Sequence, residues 1–200
     1  AARRSFPHND LDQLDALLTS LRDRFERALI VVEGLYSMDG DYPDLPRLIE
    51  IKRRHDAWLM IDEAHALGVL GRRGYGVAEH FGIDGRAVDI WMGTLSKTLA
   101  GCGGFIAGGA DLIDYVKHLV GAFVYSVGMP PVIAVAAETA LAIMHREPER
   151  VTRLQRNGAY FQRLAAERGL DTGTGAGPAV CPVVVGDSLV AMMVSQRLLE

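Results

Sequence analysis

The sequence has few lysines. Of its 21 basic residues, three are lysines (Lys52, Lys97 and Lys117) and the rest are arginines. Lys97 lies among glycines and small residues, in the stretch "DIWMGTLSKTLAGCGGFIAGG" (89–109). A lysine amine, unlike a guanidinium, can lose its proton and act as a nucleophile. Since this chain otherwise prefers arginine for charge, Lys97 is a candidate for chemistry.

Cysteine is also scarce. Cys102 and Cys181 lie far apart and follow no metal-ligand spacing. We interpret them as small buried residues with free thiols, in a protein of the reducing cytoplasm. The six histidines predict no metal site, because only His65 has carboxylate neighbours and no second ligand follows it at helical spacing.

Long apolar runs and long runs of one charge are missing as well. No segment approaches the ~18 apolar residues of a membrane span, and the N-terminus lacks the apolar core of a secretory signal. A net charge of -4 without a basic run argues against a nucleic-acid partner. The chain opens without methionine and stops within a helical pattern, which predicts a fragment of a longer protein.

Short apolar runs alternate with helical segments in the first 121 residues. Leucines at helical spacing predict a helix over 9–25, capped by Asn9 or Asp10. Two further helices are predicted at 43–56 and 110–121, and strands are predicted at 28–32, 57–61, 88–92 and 104–108. This order is typical of the α/β class, a mostly parallel sheet covered by helices on both faces.

The pattern changes from residue 130 onward. A long helical pattern runs to residue 169, and a glycine-rich segment (171–179) separates it from a predicted strand, "VCPVVVGD" (180–187), and a final helix. We expect a domain boundary within the long helix, near residues 146–152. This divides the chain into 1–148 and 149–200.

Polar residues follow three of the predicted strands. In a parallel sheet, ligands bind beyond the carboxyl ends of the strands. Taken singly, each of these residues is typical of a helix cap or a turn, but together they predict a site. They are Glu33, Ser37 and Asp39; Asp62, Glu63 and His65; and Thr94, Ser96 and Lys97.

The site suggests pyridoxal phosphate. This cofactor needs a lysine for its aldehyde, a carboxylate for its pyridine nitrogen, and donors for its phosphate. Lys97, Asp62 and Thr94 with the glycine-rich backbone meet these three needs. A helicase is the competing interpretation of "DEAH" (62–65), but the phosphate loop that it requires is absent from the sequence.

Four segments resemble one known family. They are "EGLYSMDGDYPDL", "LMIDEAHALGVLG", "GTLSKTLAGCGGFIAGG" and "FVYSVGMPP". Together they are similar to the α-oxoamine synthases, pyridoxal-phosphate enzymes of aminotransferase fold type I, over nearly the whole chain. The resemblance implies that 1–148 belongs to the cofactor-binding large domain, and that 149–200 forms a connecting helix and the start of a small α+β domain.

The resemblance also implies residue roles. Lys97 matches the lysine that binds the cofactor aldehyde and removes the substrate α-proton, and Asp62 matches the partner of the pyridine nitrogen. His65 and Ser37 match the groups that hydrogen-bond the phenolic oxygen of the cofactor, and Thr94 matches a phosphate ligand.

Three further residues lie in recognised motifs. Ser126 matches a residue that faces the cofactor of the partner subunit, because the family builds its active sites across a homodimer interface. Glu33 and His8 also match motif positions, but the resemblance gives neither a chemical role, and His8 is expected to be structural.

Members of this family condense a small amino acid with an acyl thioester, carried by coenzyme A or a carrier protein, and release carbon dioxide to leave an α-amino ketone. The resemblance implies this activity and a homodimer for the whole protein. The alternatives are an aminotransferase, which shares the lysine and the aspartate, and a non-catalytic dimerising fragment of the same fold.

Overall fold

The computed structural model describes residues 2–200, which form one sheet and eight helices. The sheet holds β1 (Leu29–Glu33), β2 (Trp58–Asp62), β3 (Ile90–Thr94) and β4 (Gly104–Gly108), in that spatial order. Strands β1 to β3 are parallel, and β4 is antiparallel to β3. The four strands predicted in the first 121 residues lie within two residues of the observed ones, and the α/β class is confirmed.

The helices lie mostly in the second half of the chain. Two 3₁₀ turns, Arg22–Arg24 and Gly85–Ala87, accompany them. The helices are α1 (Leu11–Leu21), α2 (Leu45–Arg54), α3 (Val77–Phe81), α4 (Ala110–Leu119), α5 (Gly121–Val124), α6 (Pro131–Arg146), α7 (Glu149–Glu167) and α8 (Ser188–Arg197).

Local sequence determines where α1 and α2 begin. The carboxylate of Asp10 accepts a hydrogen bond from the Gln13 amide at 2.9 Å, and Asp44 accepts one from the Arg47 amide at 3.1 Å. Each bond satisfies an amide that has no partner within its helix. Proline is tolerated at position 46 because the first turn of α2 needs no amide donor there.

The main core lies on one face of the sheet. Ile30 and Val32 of β1 and Leu59 and Ile61 of β2 are buried there, packed against buried leucines of α1 and α2. Burial of each such side chain stabilises the fold by about 1.5–3 kcal/mol. Alternation along the strands puts every second residue on this face.

The other sheet face is open. Leu29, Val31 and Trp58 are 50%, 54% and 43% exposed. The prediction of helices on both faces is therefore confirmed on one face only, within residues 2–200.

A smaller apolar cluster lies beyond β3. Leu95 and Leu99, in the segment between β3 and β4, are buried against Ala137 of α6. This contact attaches the start of the long helical region to the sheet.

Three expectations were wrong in detail. Residues 180–187 form no strand. The long helix is two helices that break at residues 147–148, where Pro148 precedes the first turn of α7. The cysteines are free, but Cys102 is exposed and Cys181 is only partly buried. The division into 1–148 and 149–200 stays a prediction.

No helix of the described residues is suited to cross a membrane. Within residues 2–200, none combines the length and the apolar character that a membrane crossing demands.

Candidate active site

The sheet brings the predicted site residues of three strands to one edge. Glu33 is the last residue of β1, and it pairs in register with Asp62, the last residue of β2. Asp62 in turn pairs with Met92 of β3, two residues before Thr94. Because the three strands are parallel, their carboxyl ends meet at this edge.

Asp62, the last residue of β2, is followed by a turn that carries His65. One oxygen of its half-buried carboxylate, Oδ1, accepts a hydrogen bond from the Ala64 amide at 2.8 Å. The turn is the first part of the long connection between β2 and α3, which ends at Val77, the first residue of α3.

Glu33 connects two of the predicted residues. Its Oε2 accepts a hydrogen bond from the Ser37 amide at 3.1 Å and lies 3.8 Å from Nδ1 of His65. A protonated His65 would form an ion pair with this carboxylate. Sequence reasoning gave Glu33 no role, although its position at the end of β1, opposite Asp62, was the available signal.

Thr94 anchors the segment that contains the lysine. Its hydroxyl group lies 2.8 Å from the Ser96 hydroxyl and donates to the Gly103 carbonyl at 3.2 Å. It also accepts a hydrogen bond from the Ser96 amide at 3.2 Å. These contacts bring two hydroxyl groups together at the end of β3.

We call residues 95–103, which connect β3 to β4, the lysine loop. Lys97 is exposed at its tip, while Leu95 and Leu99 on either side are 5% and 2% exposed. The two buried leucines fix the backbone and leave the amine accessible. Thr98 donates a hydrogen bond to the Leu67 carbonyl at 2.8 Å, which ties the lysine loop to the turn of His65.

Ser126 lies elsewhere on the surface. It follows α5 in an exposed segment, and its amide donates to the Phe123 carbonyl at 3.2 Å. Within residues 2–200, its side chain makes no hydrogen bond to the other predicted residues. The prediction that it serves a partner subunit is untested.

His8 contacts the loop after β1. Its Nε2 lies 2.9 Å from both oxygens of the buried Asp41 carboxylate, and its ring packs edge-on against Tyr36. Burial, with Asp41 and Glu33 nearby, raises the pKa of Tyr36 to about 12, so this phenol stays neutral. Asp39, 4.0 Å from His8, completes a group of three side chains, one histidine and two aspartates, of types that bind metals. The short contact in this group is the one between His8 and Asp41.

Known proteins resemble this chain along its whole length. A family model described as "Aminotransferase class I and II" matches residues 1–200. An 8-amino-7-oxononanoate synthase from Symbiobacterium thermophilum is 42% identical over 98% of this chain and 49% of its own length. A serine palmitoyltransferase from Sphingobacterium spiritivorum is 40% identical over 96% of this chain and 48% of its own length.

Solved structures share the fold. A serine palmitoyltransferase from S. paucimobilis superposes with a TM-score of 0.86 at 29% identity, over 96% of this chain and 50% of that one. The chain thus spans about half the length of the relatives it matches. The resemblance to the α-oxoamine synthases, inferred from four motifs, is confirmed by these names. The chain belongs to the aminotransferase class I and II family.

Proposed function

We propose that this chain is part of a pyridoxal-phosphate C-acyltransferase that joins a small amino acid to an acyl thioester with loss of carbon dioxide. One observation carries the proposal: Glu33, Asp62 and the lysine loop meet at one edge of the sheet. The names of the relatives agree with it, and the structure from S. paucimobilis holds a PLP–myriocin aldimine.

The residues at this edge fit the cofactor. The exposed Lys97 amine donates no hydrogen bond within residues 2–200, so an aldehyde can reach it. In the same range only Oδ1 of Asp62 is engaged by a neighbour, which leaves Oδ2 for a pyridinium nitrogen. The hydroxyl groups of Thr94 and Ser96 can each rotate to turn their proton from its present acceptor to a phosphate, and the glycine-rich backbone adds amide donors.

Each residue then has a defined task. The bound cofactor supplies an electron-accepting ring that stabilises negative charge on the amino-acid α-carbon. Lys97 holds the cofactor and later removes the α-proton. Asp62 keeps the pyridine nitrogen protonated, His65 and Ser37 hydrogen-bond the phenolic oxygen, and Glu33 orients His65.

The names of the relatives support a choice of substrates. We infer a small amino acid and an acyl thioester of coenzyme A or a carrier protein as substrates. We further infer a cytoplasmic homodimer in which the exposed Ser126 faces the partner's cofactor, and a large domain that ends near residue 148. An aminotransferase would share Lys97 and Asp62, but would form a keto acid and would release neither thiol nor carbon dioxide.

Covalent labelling tests the lysine assignment. The chain is mixed with pyridoxal phosphate, reduced with borohydride and digested with a protease. Mass spectrometry of the peptides then locates the label. We expect the label on Lys97, its loss in Lys97→Ala, and its retention in Lys117→Ala, a matched control on exposed α4. A label spread equally over the three lysines, or none, would contradict the assignment.

Product analysis separates the two reactions. A protein of the relatives' full length is given an amino acid and an acyl thioester. Thioester-dependent release of thiol and carbon dioxide supports the synthase, whereas a keto acid formed without the thioester supports an aminotransferase. A labelled Lys97 with neither product would indicate the non-catalytic alternative.

A further inference from the structure

Glu63 has an unusual environment beside Asp62. Its side chain is almost fully buried, with the residue 7% exposed. Its backbone amide donates to the Met92 carbonyl of β3 at 2.8 Å, and its carbonyl accepts from the amides of Ala66 and Leu67 at 3.1 and 2.9 Å. Glu63 therefore begins the turn 63–67, which carries His65.

The carboxyl group of Glu63 joins both ends of the long connection between β2 and α3. Oε1 accepts a hydrogen bond from the Val77 amide at 3.0 Å, and Oε2 is buried without a partner within residues 2–200. A Cβ added at Gly76 would lie 2.2 Å from Oε2, and one at Gly34 would lie 3.1 Å from Oε1. Only glycines leave room for this carboxyl group.

The carboxyl group of Glu63 has no opposite charge beside it in the described residues. Within residues 2–200 it forms no ion pair. Burial and the charge of Asp62 raise its pKa to about 7. An isolated buried charge is costly, so the neutral acid is the form that suits the site.

We propose that Glu63 is a positioning residue for the cofactor site: its carboxyl group holds the turn 63–67, and with it Asp62 and His65, against the amide of Val77. This role rests on the proposed function. It predicts that Glu63 acts on cofactor binding through backbone position, because its buried carboxyl group is not available to the cofactor.

The matched control is Glu79. Its carboxylate accepts hydrogen bonds from the amides of Arg73 and Tyr75 at 3.0 Å each, in the outer part of the same connection. Glu79→Ala therefore loosens this connection away from Asp62. Glu63→Gln keeps an acceptor for Val77 and stays neutral, so it serves as the conservative variant.

The test measures pyridoxal phosphate affinity and, without cofactor, hydrogen exchange of residues 64–67, for the wild type and the three variants. We expect Glu63→Ala to weaken binding by about tenfold or more and to speed the exchange. Glu63→Gln should stay within about twofold of the wild type in both measurements. Glu79→Ala should lower the unfolding midpoint and leave both unchanged.

Each other outcome has a definite meaning. Wild-type affinity in Glu63→Ala, or an equal loss in Glu79→Ala, overturns the positioning role and leaves the proposed function standing. A wild-type protein of the relatives' full length that binds no pyridoxal phosphate overturns the proposed function, and this role with it. The pH dependence of the bound cofactor's absorbance is a spectroscopic check. It should differ between Glu63→Ala and the wild type, and it should be the same in Glu79→Ala and the wild type.

Discussion

At the scale of single residues, the carboxyl group of Glu63 makes stability depend on pH. Its pKa is raised from 4.5 to about 7 in the folded chain, first by burial and then by Asp62, against the opposing hydrogen bond from Val77. The unfolded chain therefore loses this proton at lower pH than the folded chain does. The stabilisation is complete below pH 4.5 and is lost as the pH rises through about 7.

Glu63→Gln removes this dependence. Between pH 5 and pH 8, the free energy of unfolding of the wild type should fall relative to that of Glu63→Gln by about 2–3 kcal/mol at most. Urea unfolding at the two pH values measures this difference. Glu79→Gln is the control, and a wild type that runs parallel to Glu63→Gln would contradict the assignment of a raised pKa.

The contacts of Glu33 and Glu63 could not be predicted from sequence, whereas Lys97, Asp62 and Thr94 could be singled out there as candidates. A lysine among glycines and an acid after an apolar run are visible as patterns. The Glu33 contacts with Ser37 and His65, however, depend on how a loop folds back. Likewise, an acid directly after a strand gives no sign that Gly34 and Gly76 will lie against its carboxyl group.

At the scale of elements, the strength of a cap depends on what its helix buries. Asp44 caps α2, which buries Leu45, Leu48, Ile49 and Ile51. Asp187 caps α8, which buries no residue, by accepting from the amides of Leu189 and Val190 at 2.9 Å each. Loss of the cap should therefore destabilise the core in the case of α2 but not in the case of α8.

Asp44→Ala should therefore lower the free energy of unfolding by about 1 kcal/mol, and Asp44→Asn by much less. Asp187→Ala should leave the main transition unchanged, because α8 can fray without exposing the core. Urea unfolding followed by circular dichroism measures both effects. Equal losses in Asp44→Ala and Asp187→Ala would show that α8 is coupled to the core after all.

Helices and strands with a signal in their own sequence could be predicted. A strand that needs another strand to pair with could not. Strands β1 to β3 follow from apolar runs, and α1 follows from its leucine spacing and its cap. The valine-rich segment 180–187 has the composition of a strand, but no strand of residues 2–200 pairs with it, and Val183 to Val185 remain exposed. Pro148 was the visible signal for the break between α6 and α7.

At the scale of the whole molecule, burial is uneven. The main core joins β1 and β2 to α1 and α2, whereas α4, α5 and α8 bury no residue. Local opening costs least where few apolar contacts are broken. Amide hydrogen exchange should therefore be slowest in β1, β2 and α2 and fastest in α4, α5 and α8.

Mass spectrometry of peptides after timed exchange measures this order. Slow exchange of α4 or α8 in the isolated chain would contradict this order, and one cause would be a second copy that covers these helices. Dilution series at low and high protein concentration separate that case from an intrinsically stable helix.

The reversal of direction at β4 has a consequence for how the chain folds. The entropy lost on closing a loop grows with the number of residues enclosed. The lysine loop, residues 95–103, joins neighbouring antiparallel strands directly, whereas Glu33 and Asp62 meet only after the chain has passed through α2. The hairpin that carries Lys97 can therefore form early in folding, with a small loss of entropy. Glu33 and Asp62 come together later, because their pairing joins residues that are far apart in the sequence.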